Sequence, residues 1–217
     1  IYNGANDNAS GTGTIMAVAE AFSNLSEGSK RSILFLAVTA EEQGLLGATY
    51  YSINPLIPLE KTVAVMNIDA MGNNYGKTKD LIVVGKGNSE LDLVLEYAAA
   101  QDGKYLIPDA EPEKGFYYRS DHFAFAKQGV PSLYVDGGLD VVGKERGYGH
   151  QKKDEYTNID YHAVSDEIKE DWDFSGMVED ARILFRVGYA IGQHSEWPQW
   201  SEGTEFKAKR EAMLKSN

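Results

Sequence analysis

The sequence contains no cysteine among its 217 residues, and this absence excludes disulfide bonds and metal sites built from thiolates. Long apolar segments are also absent, since no run approaches the roughly 20 residues that a membrane-spanning helix needs. Positive charge is scarce: 21 Lys and Arg residues stand against 33 Asp and Glu residues, which gives a formal net charge of −12. This balance disfavours anionic partners, so we expect no nucleic-acid binding and no membrane-spanning segment.

Apolar periodicity predicts an α/β fold. Residues 12–25 and 177–193 have the apolar spacing of helices, whereas residues 32–38, 62–69 and 81–85 are short apolar runs typical of buried strands. Further helices are predicted at residues 89–103 and 122–129 and at the C-terminus, a further strand at 131–138, and a long polar loop at 139–175. Strands that alternate with helices indicate an α/β sandwich around a largely parallel sheet.

Four carboxylates lie where predicted strands end or a helix begins. Glu41 and Glu42 directly follow the first predicted strand, Asp69 ends the second, and Asp7 precedes the first helix. Each has an ordinary alternative when taken alone: a helix cap or turn residue, a solvated helix start, or the end of a strand. Together they should converge at one edge of the sheet, where like charges cannot all remain ionised. The combination therefore predicts a site for a divalent metal ion.

Five segments resemble, in order, the motifs of the M28 zinc metallopeptidases. They read "GANDNASG", "AVTAEEQGLLGA", "MNIDAMG", "YYRSDHFAF" and "YHAVSDE", and the resemblance extends over residues 1–195. It implies a three-layer α/β sandwich with a mixed, mainly parallel central sheet flanked by helices. It also implies an aminopeptidase that binds two zinc ions and hydrolyses peptide substrates with a free N-terminus.

The resemblance assigns a role to each carboxylate. Asp7 is implied to bridge the two zinc ions and to precede a cis peptide bond, while Glu42 ligates the first zinc and Asp69 the second. Glu41 is implied to be the general base that takes a proton from the attacking water. Tyr117 matches a tyrosine that supports the developing oxyanion in some members, although an aromatic residue in the pocket wall is the alternative interpretation.

One histidine should complete the first zinc site, and the chain has four. His162 has the aromatic-His-x-x-x-Asp arrangement of the family and is the predicted ligand, with His150 of the polar loop as the alternative. His122 lies in a family motif that does not normally supply a ligand, and His194 follows a long helix.

The resemblance also sets expectations for the whole chain. The second zinc of the family uses another histidine upstream of the bridging aspartate, at a position that would precede Ile1. We therefore expect residues 1–217 to form a single M28-type catalytic domain that lacks its N-terminal part. A glutaminyl-cyclase-like enzyme with one zinc and a receptor-like binding domain remain alternatives. The tail "WPQWSEGTEFKAKR" resembles that of exported bacterial relatives and predicts a periplasmic or secreted protein.

Overall fold

The computed structural model describes residues 2–71 and 73–215 of the chain. The α-helices in this range are α1 (Gly11–Ser23), α2 (Leu46–Ile53), α3 (Leu91–Ala100), α4 (His122–Ala126), α5 (Tyr148–Ile159), α6 (Ser175–Gln193) and α7 (Lys207–Lys215). The strands are β1 (Val65–Asn67), β2 (Asp80–Val84), β3 (Tyr105–Pro108) and β4 (Ser132–Gly137). Within the same range, no helix is both long enough and apolar enough to cross a membrane.

The strands form one mixed sheet in the order β1-β4-β2-β3. Two of its neighbouring pairs, β1 with β4 and β2 with β3, are parallel, whereas β2 and β4 are antiparallel. The register places Val65 opposite Ser132 and Ile82 opposite Asp136. This arrangement confirms the predicted α/β fold with a mixed, mainly parallel sheet.

Alternation along β2 shows how the sheet separates two apolar layers. Leu81 and Val83 point into a cluster with residues of α3 and α6, whereas Ile82 and Val84 point to the opposite face, where Trp200 packs. Successive strand residues face opposite sides of a sheet, so a strand covered on both sides must be apolar throughout. All five residues of β2 are buried, which explains why its sequence signal was clear.

The predicted strand at residues 32–38 is wrong. This segment forms no ladder with the described strands, and its side chains divide between two environments. Leu36 and Val38 pack against the apolar cluster beside α2 and α4, whereas Leu34 and Phe35 are 54% and 37% exposed. A strand is defined by hydrogen bonds to a neighbour, so an apolar run without a paired neighbour stays irregular.

Two other elements differ from the sequence prediction. The helix α5 lies inside the region predicted as a long polar loop. It was not predicted because its polar residues hide the helical period in the sequence. The strand β3 was not predicted at all, since it has four residues, of which the two at its ends are exposed. Length and periodicity are the signals that reveal an element in sequence, and both are weak here.

Candidate metal centre

A tight turn at the start of the chain presents Asp7. Residues Ala5–Ser10 form a single π-helical turn with a cis peptide bond between Asp7 and Asn8. Gly4 has a φ of 62°, and a Cβ atom there would lie 2.6 Å from the carbonyl oxygen of Asp7. The Ser10 hydroxyl donates to the Asn6 carbonyl oxygen at 2.6 Å and closes the turn. The glycine and the short polar residues of "GANDNASG" are therefore required by the turn itself.

Asn8 joins this turn to the segment that carries Asp69. Its side-chain Oδ1 accepts hydrogen bonds from the backbone N–H groups of Gly11 and Ala70, each at 3.0 Å. Its Nδ2 donates to the carbonyl oxygen of Ile68 at 3.1 Å. Since Asp69 lies between Ile68 and Ala70, Asn8 holds the backbone on both sides of that carboxylate.

Glu41 and Glu42 lie in a short 3-10 turn, Glu41–Gln43, after the extended segment. The turn begins after Ala40 at a φ of 57° and ends at Gly44 at a φ of 93°, so the backbone reverses at both ends. The backbone N–H of Leu45 donates to the Glu41 carbonyl oxygen at 2.8 Å. This local geometry directs two adjacent glutamates into one cavity without requiring a regular strand before them.

Asp7, Glu42 and His162 come together from three distant parts of the sequence. The His162 Nε2 atom lies 2.8 Å from Glu42 Oε1 and 3.3 Å from Asp7 Oδ2. One potential ligand atom from each residue lies within 4.8 Å of the other two. The ring of Tyr161 stacks on the His162 ring with a centroid distance of 3.8 Å. Carboxylate oxygens and imidazole nitrogens are both zinc ligands, and catalytic zinc sites use three protein ligands, so these residues fit zinc.

Asp69 lines the same cavity and is held by two residues that the sequence analysis missed. Its Oδ2 accepts a hydrogen bond from the Ser120 hydroxyl at 2.5 Å. The Ser120 oxygen in turn accepts a hydrogen bond from Asn67 Nδ2 at 2.7 Å. Ser120 belongs to the "YYRSDHFAF" segment, and Asn67 lies two residues before Asp69, on the same face of the chain. Their positions beside known motifs were the available signal.

The carboxylates lie in a cavity of about 690 Å³ that also includes His162. Burial, followed by the charges of Asp69 and Glu42, raises the pKa of Asp7 to about 6. Burial, followed by the charge of Asp69, raises the pKa of Glu41 to about 8. Burial is the first cause of both shifts, and the neighbouring carboxylates add to it. A divalent cation bound among these carboxylates would lower both pKa values.

Tyr117 does not line this cavity. Its ring is buried beside Ile82 and Val84 and stacks on Phe206 with a centroid distance of 6.1 Å. It contributes instead to a separate cavity of about 220 Å³. The neighbouring Tyr118 lines the larger cavity. The position of Tyr117 therefore supports neither a direct role at the oxyanion nor a place in the wall of this cavity, and its ring instead packs in an apolar cluster.

The other three histidines lie outside the metal-ligand group. His150 is exposed on α5 and does not line the cavity, and His194 is exposed after α6. His122 is fully buried beside the rings of Tyr117 and Tyr134, and burial lowers its pKa to about 3. His122 is therefore a neutral packing residue, and His162 is the histidine that the fold brings to the carboxylates.

The motifs and the geometry agree with a comparison against known families. The sequence model of Peptidase family M28 matches residues 1–172. This chain belongs to peptidase family M28. Its similarity to individual members is moderate: the M28 chain is 32% identical over 185 residues to leucine aminopeptidase 2 of Trichophyton rubrum. It is 35% identical over 158 residues to aminopeptidase YwaD of Bacillus subtilis.

The matches cover most of the M28 chain but a smaller part of each relative. The alignment with the Trichophyton enzyme covers 74% of this chain and 36% of that protein, and the corresponding values for the Bacillus enzyme are 72% and 33%. The chain thus spans about a third of the length of these curated relatives.

Solved structures show the same fold at low sequence identity. The LapA aminopeptidase of Legionella pneumophila matches with a TM-score of 0.66 at 17% identity, covering 90% of this chain and 47% of that one. The aminopeptidase of Aneurinibacillus sp. strain AM-1 matches with a TM-score of 0.64 at 21% identity, covering 90% and 42%. The α/β architecture is therefore that of M28 aminopeptidases.

Proposed function

We propose that this M28 chain carries the catalytic centre of a zinc-dependent aminopeptidase. The observation that carries the proposal is the group formed by Asp7, Glu42 and His162, with Glu41 in the same cavity. The aminopeptidase names of its relatives support the reaction class. The substrate class is a peptide with a free N-terminus.

In this proposal Asp7, Glu42 and His162 would hold a first zinc ion, and Asp7 and Asp69 would hold a second. Zinc acts in such sites as a Lewis acid that polarises a peptide carbonyl and acidifies water. Ser120 fixes Asp69 through the hydrogen bond at 2.5 Å, so this carboxylate keeps one orientation toward the second position.

Glu41 is the group that moves protons. It lines the cavity but does not belong to the group formed by Asp7, Glu42 and His162, so its carboxylate is free to act on water. It accepts a proton from the attacking water and gives it to the amine that leaves when the peptide bond breaks. The proposal assigns its neighbour Glu42 the ligand role instead, because Glu42 Oε1 lies 2.8 Å from His162 Nε2.

Acidic residues of the cavity outside the zinc positions give a reason to prefer a free α-amine. Asp109 and Asp136 line the cavity, and their carboxylates can accept hydrogen bonds from the ammonium group at the N-terminus of a peptide. An acetylated N-terminus has neither that charge nor those hydrogen-bond donors. The same cavity should therefore discriminate between free and blocked peptides by charge.

Chelation and substrate blocking test the proposal together. An aminoacyl anilide should be cleaved by the zinc-loaded protein, cleavage should stop in excess chelator, and added zinc or cobalt should restore it. The acetylated anilide should be a poor substrate under the same conditions. Cleavage that persists in chelator would contradict a zinc mechanism, and equal cleavage of both anilides would indicate an endopeptidase. Cyclisation of N-terminal glutamine without release of amino acids would indicate the glutaminyl-cyclase alternative.

A further inference from the structure

Asp166 connects the turn that presents Asp7 to the segment that presents His162. Its side chain is buried, with 2% of its surface exposed. Its Oδ1 accepts the backbone N–H of Asn6 at 3.0 Å, and its Oδ2 accepts the backbone N–H of Asp7 at 3.0 Å. Its own carbonyl oxygen accepts the N–H of Ala5 at 2.9 Å. One residue thus binds three consecutive backbone N–H groups of the turn.

We propose that Asp166 is a positioning residue that fixes Asp7 relative to His162 and thereby sets the affinity of the first zinc position. The inference rests on the proposed function, because it requires that zinc binds there. Asp166 does not line the cavity, and it acts through the backbone N–H groups of Ala5, Asn6 and Asp7.

The argument begins with the short segment that contains both His162 and Asp166. Two backbone hydrogen bonds make it compact: Ala163 donates to Asp160 at 2.9 Å, and Asp166 donates to Ala163 at 3.2 Å. His162 within it has a φ of 56°, so its direction is set by a tight turn of the backbone. The ligand His162 and the anchor of Asp7 therefore belong to one rigid unit, although Asp7 lies near the other end of the sequence.

A third element, α5, orients the Asp166 carboxylate. The Tyr156 hydroxyl of α5 donates to Asp166 Oδ2 at 3.3 Å. The backbone N–H groups of Asp160 and Tyr161 both donate to the Tyr156 carbonyl oxygen at 2.9 Å, so the helix end leads directly into the unit. Oδ2 thus accepts from both the Asp7 N–H and the Tyr156 hydroxyl, while Oδ1 accepts from the Asn6 N–H. Three donors from two elements fix the plane of the carboxylate.

The chemistry explains why this position holds a carboxylate. Two adjacent N–H groups point at the two oxygens, and an ionised carboxylate accepts at both. An asparagine would place its own NH₂ group against one of the N–H groups, so one hydrogen bond would be replaced by a donor–donor contact. Groups that orient metal ligands in this way typically change metal affinity by about 10- to 100-fold when they are removed.

The test compares Asp166→Asn with a matched control. Asp80 is also 2% exposed, and its carboxylate likewise accepts two adjacent backbone N–H groups, those of Leu139 and Asp140. It does not line the metal cavity. Asp80→Asn therefore removes the same kind of hydrogen bonding at a position outside the metal cavity. It measures the loss of stability that a purely structural role would produce.

Zinc affinity by titration calorimetry and the thermal unfolding midpoint should be measured for the intact chain and both variants. Both substitutions should lower the unfolding midpoint by a similar amount. Only Asp166→Asn should weaken zinc binding, by about 10-fold or more, whereas Asp80→Asn should stay within about twofold of the parent. The visible spectrum of bound cobalt should shift in Asp166→Asn alone, because only there does the geometry around the ion change.

A milder variant guards against misfolding of Asp166→Asn. Tyr156→Phe keeps the ring of α5 and removes the hydroxyl, which hydrogen-bonds with Asp166 and with Asn6 of the same turn. It should weaken zinc binding about two- to fivefold, less than Asp166→Asn does. Equal zinc affinity in the parent and in Tyr156→Phe or Asp166→Asn would overturn the positioning role, and so would equal losses in Asp166→Asn and Asp80→Asn. A parent chain that binds no zinc would overturn the proposed function, and this inference with it.

Discussion

At the scale of single residues, Glu41 and Glu42 are neighbours in sequence with different surroundings. Glu42 lies against His162, while Glu41 lies in the cavity beside Asp69 without belonging to the ligand group. Glu41→Gln should therefore reduce turnover by about 10²- to 10⁴-fold, because it removes a proton acceptor but no ligand. Zinc content by elemental analysis should stay unchanged. Loss of zinc from this variant would mean that the roles of the two glutamates are exchanged.

Glu42→Ala should lose zinc, in contrast to Glu41→Gln. The substitution removes one of three protein ligands from the first position, so bound zinc should fall by about one ion per chain, measured by the same elemental analysis on both variants. The remaining Asp7 and His162 should hold zinc too weakly to retain it through dialysis. Full retention of zinc in Glu42→Ala would contradict the ligand assignment.

The raised pKa values predict how the metal-free protein responds to pH. Glu41 has a pKa of about 8 in the folded chain and an ordinary value near 4.5 when unfolded, so the folded state binds more protons between these values. Stability contributed by this group is present below pH 4.5 and is lost as the pH rises toward 8. Glu41→Gln cannot ionise. In excess chelator, the unfolding midpoint of Glu41→Gln minus that of the parent should therefore increase as the pH is raised from 5 to 8. If this difference in midpoint stays constant, Glu41 does not titrate in this range.

At the scale of elements, α7 is fixed to the rest of the fold by one buried cation. Arg210 is 3% exposed, and its guanidinium donates to the carbonyl oxygens of Leu59 at 3.0 Å and Thr62 at 2.7 Å. Arg210→Ala should lower the free energy of unfolding by about 2–4 kcal/mol, because one buried and one part-buried carbonyl group lose a charged donor. Urea unfolding should show this loss. The neighbouring Lys209 is exposed, and Lys209→Ala should change stability by less than about 0.5 kcal/mol.

Elements were predictable where burial leaves an apolar signal in the sequence, either a continuous run or a helical period. The strand β2 is buried along its whole length and the helix α6 buries one face, and the sequence predicted both. The helix α5 does not, because Lys153, Tyr156 and Thr157 face the cavity and must be polar. A helix whose polar face lines a cavity thus lacks the apolar periodicity by which helices are predicted from sequence.

The site residues also differ in how far the sequence predicts their roles. Asp7, Glu42 and His162 carry motif signals of their own, and the fold brings them together. Ser120 and Asp166 act only through hydrogen bonds to partners that are far away in the sequence. No local pattern encodes such a partnership, so their roles became visible only when the chain was folded. Tyr117 shows the reverse case, in which a motif match did not lead to a place in the cavity.

At the scale of the whole molecule, the proposed metal centre can form only in the folded chain. Its residues come from the initial turn, the 3-10 turn after residues 32–38, the segment after β1 and the segment after α5. The unfolded chain cannot hold Asp7, Glu42 and His162 within 4.8 Å of one another, and it contains no cysteine that would bind zinc independently. Zinc should therefore bind the folded state far more tightly than the unfolded state.

This difference predicts that zinc stabilises the whole protein by mass action. The stabilisation should grow with the logarithm of free zinc concentration and reach about 2.7 kcal/mol when free zinc is 100 times the dissociation constant. Thermal unfolding across a zinc series would measure it, and Glu42→Ala should flatten the dependence while leaving the midpoint in chelator nearly unchanged. An unfolding midpoint of the parent that does not respond to zinc would contradict a centre assembled by folding. An equal response in Glu42→Ala would place the bound zinc elsewhere in the chain.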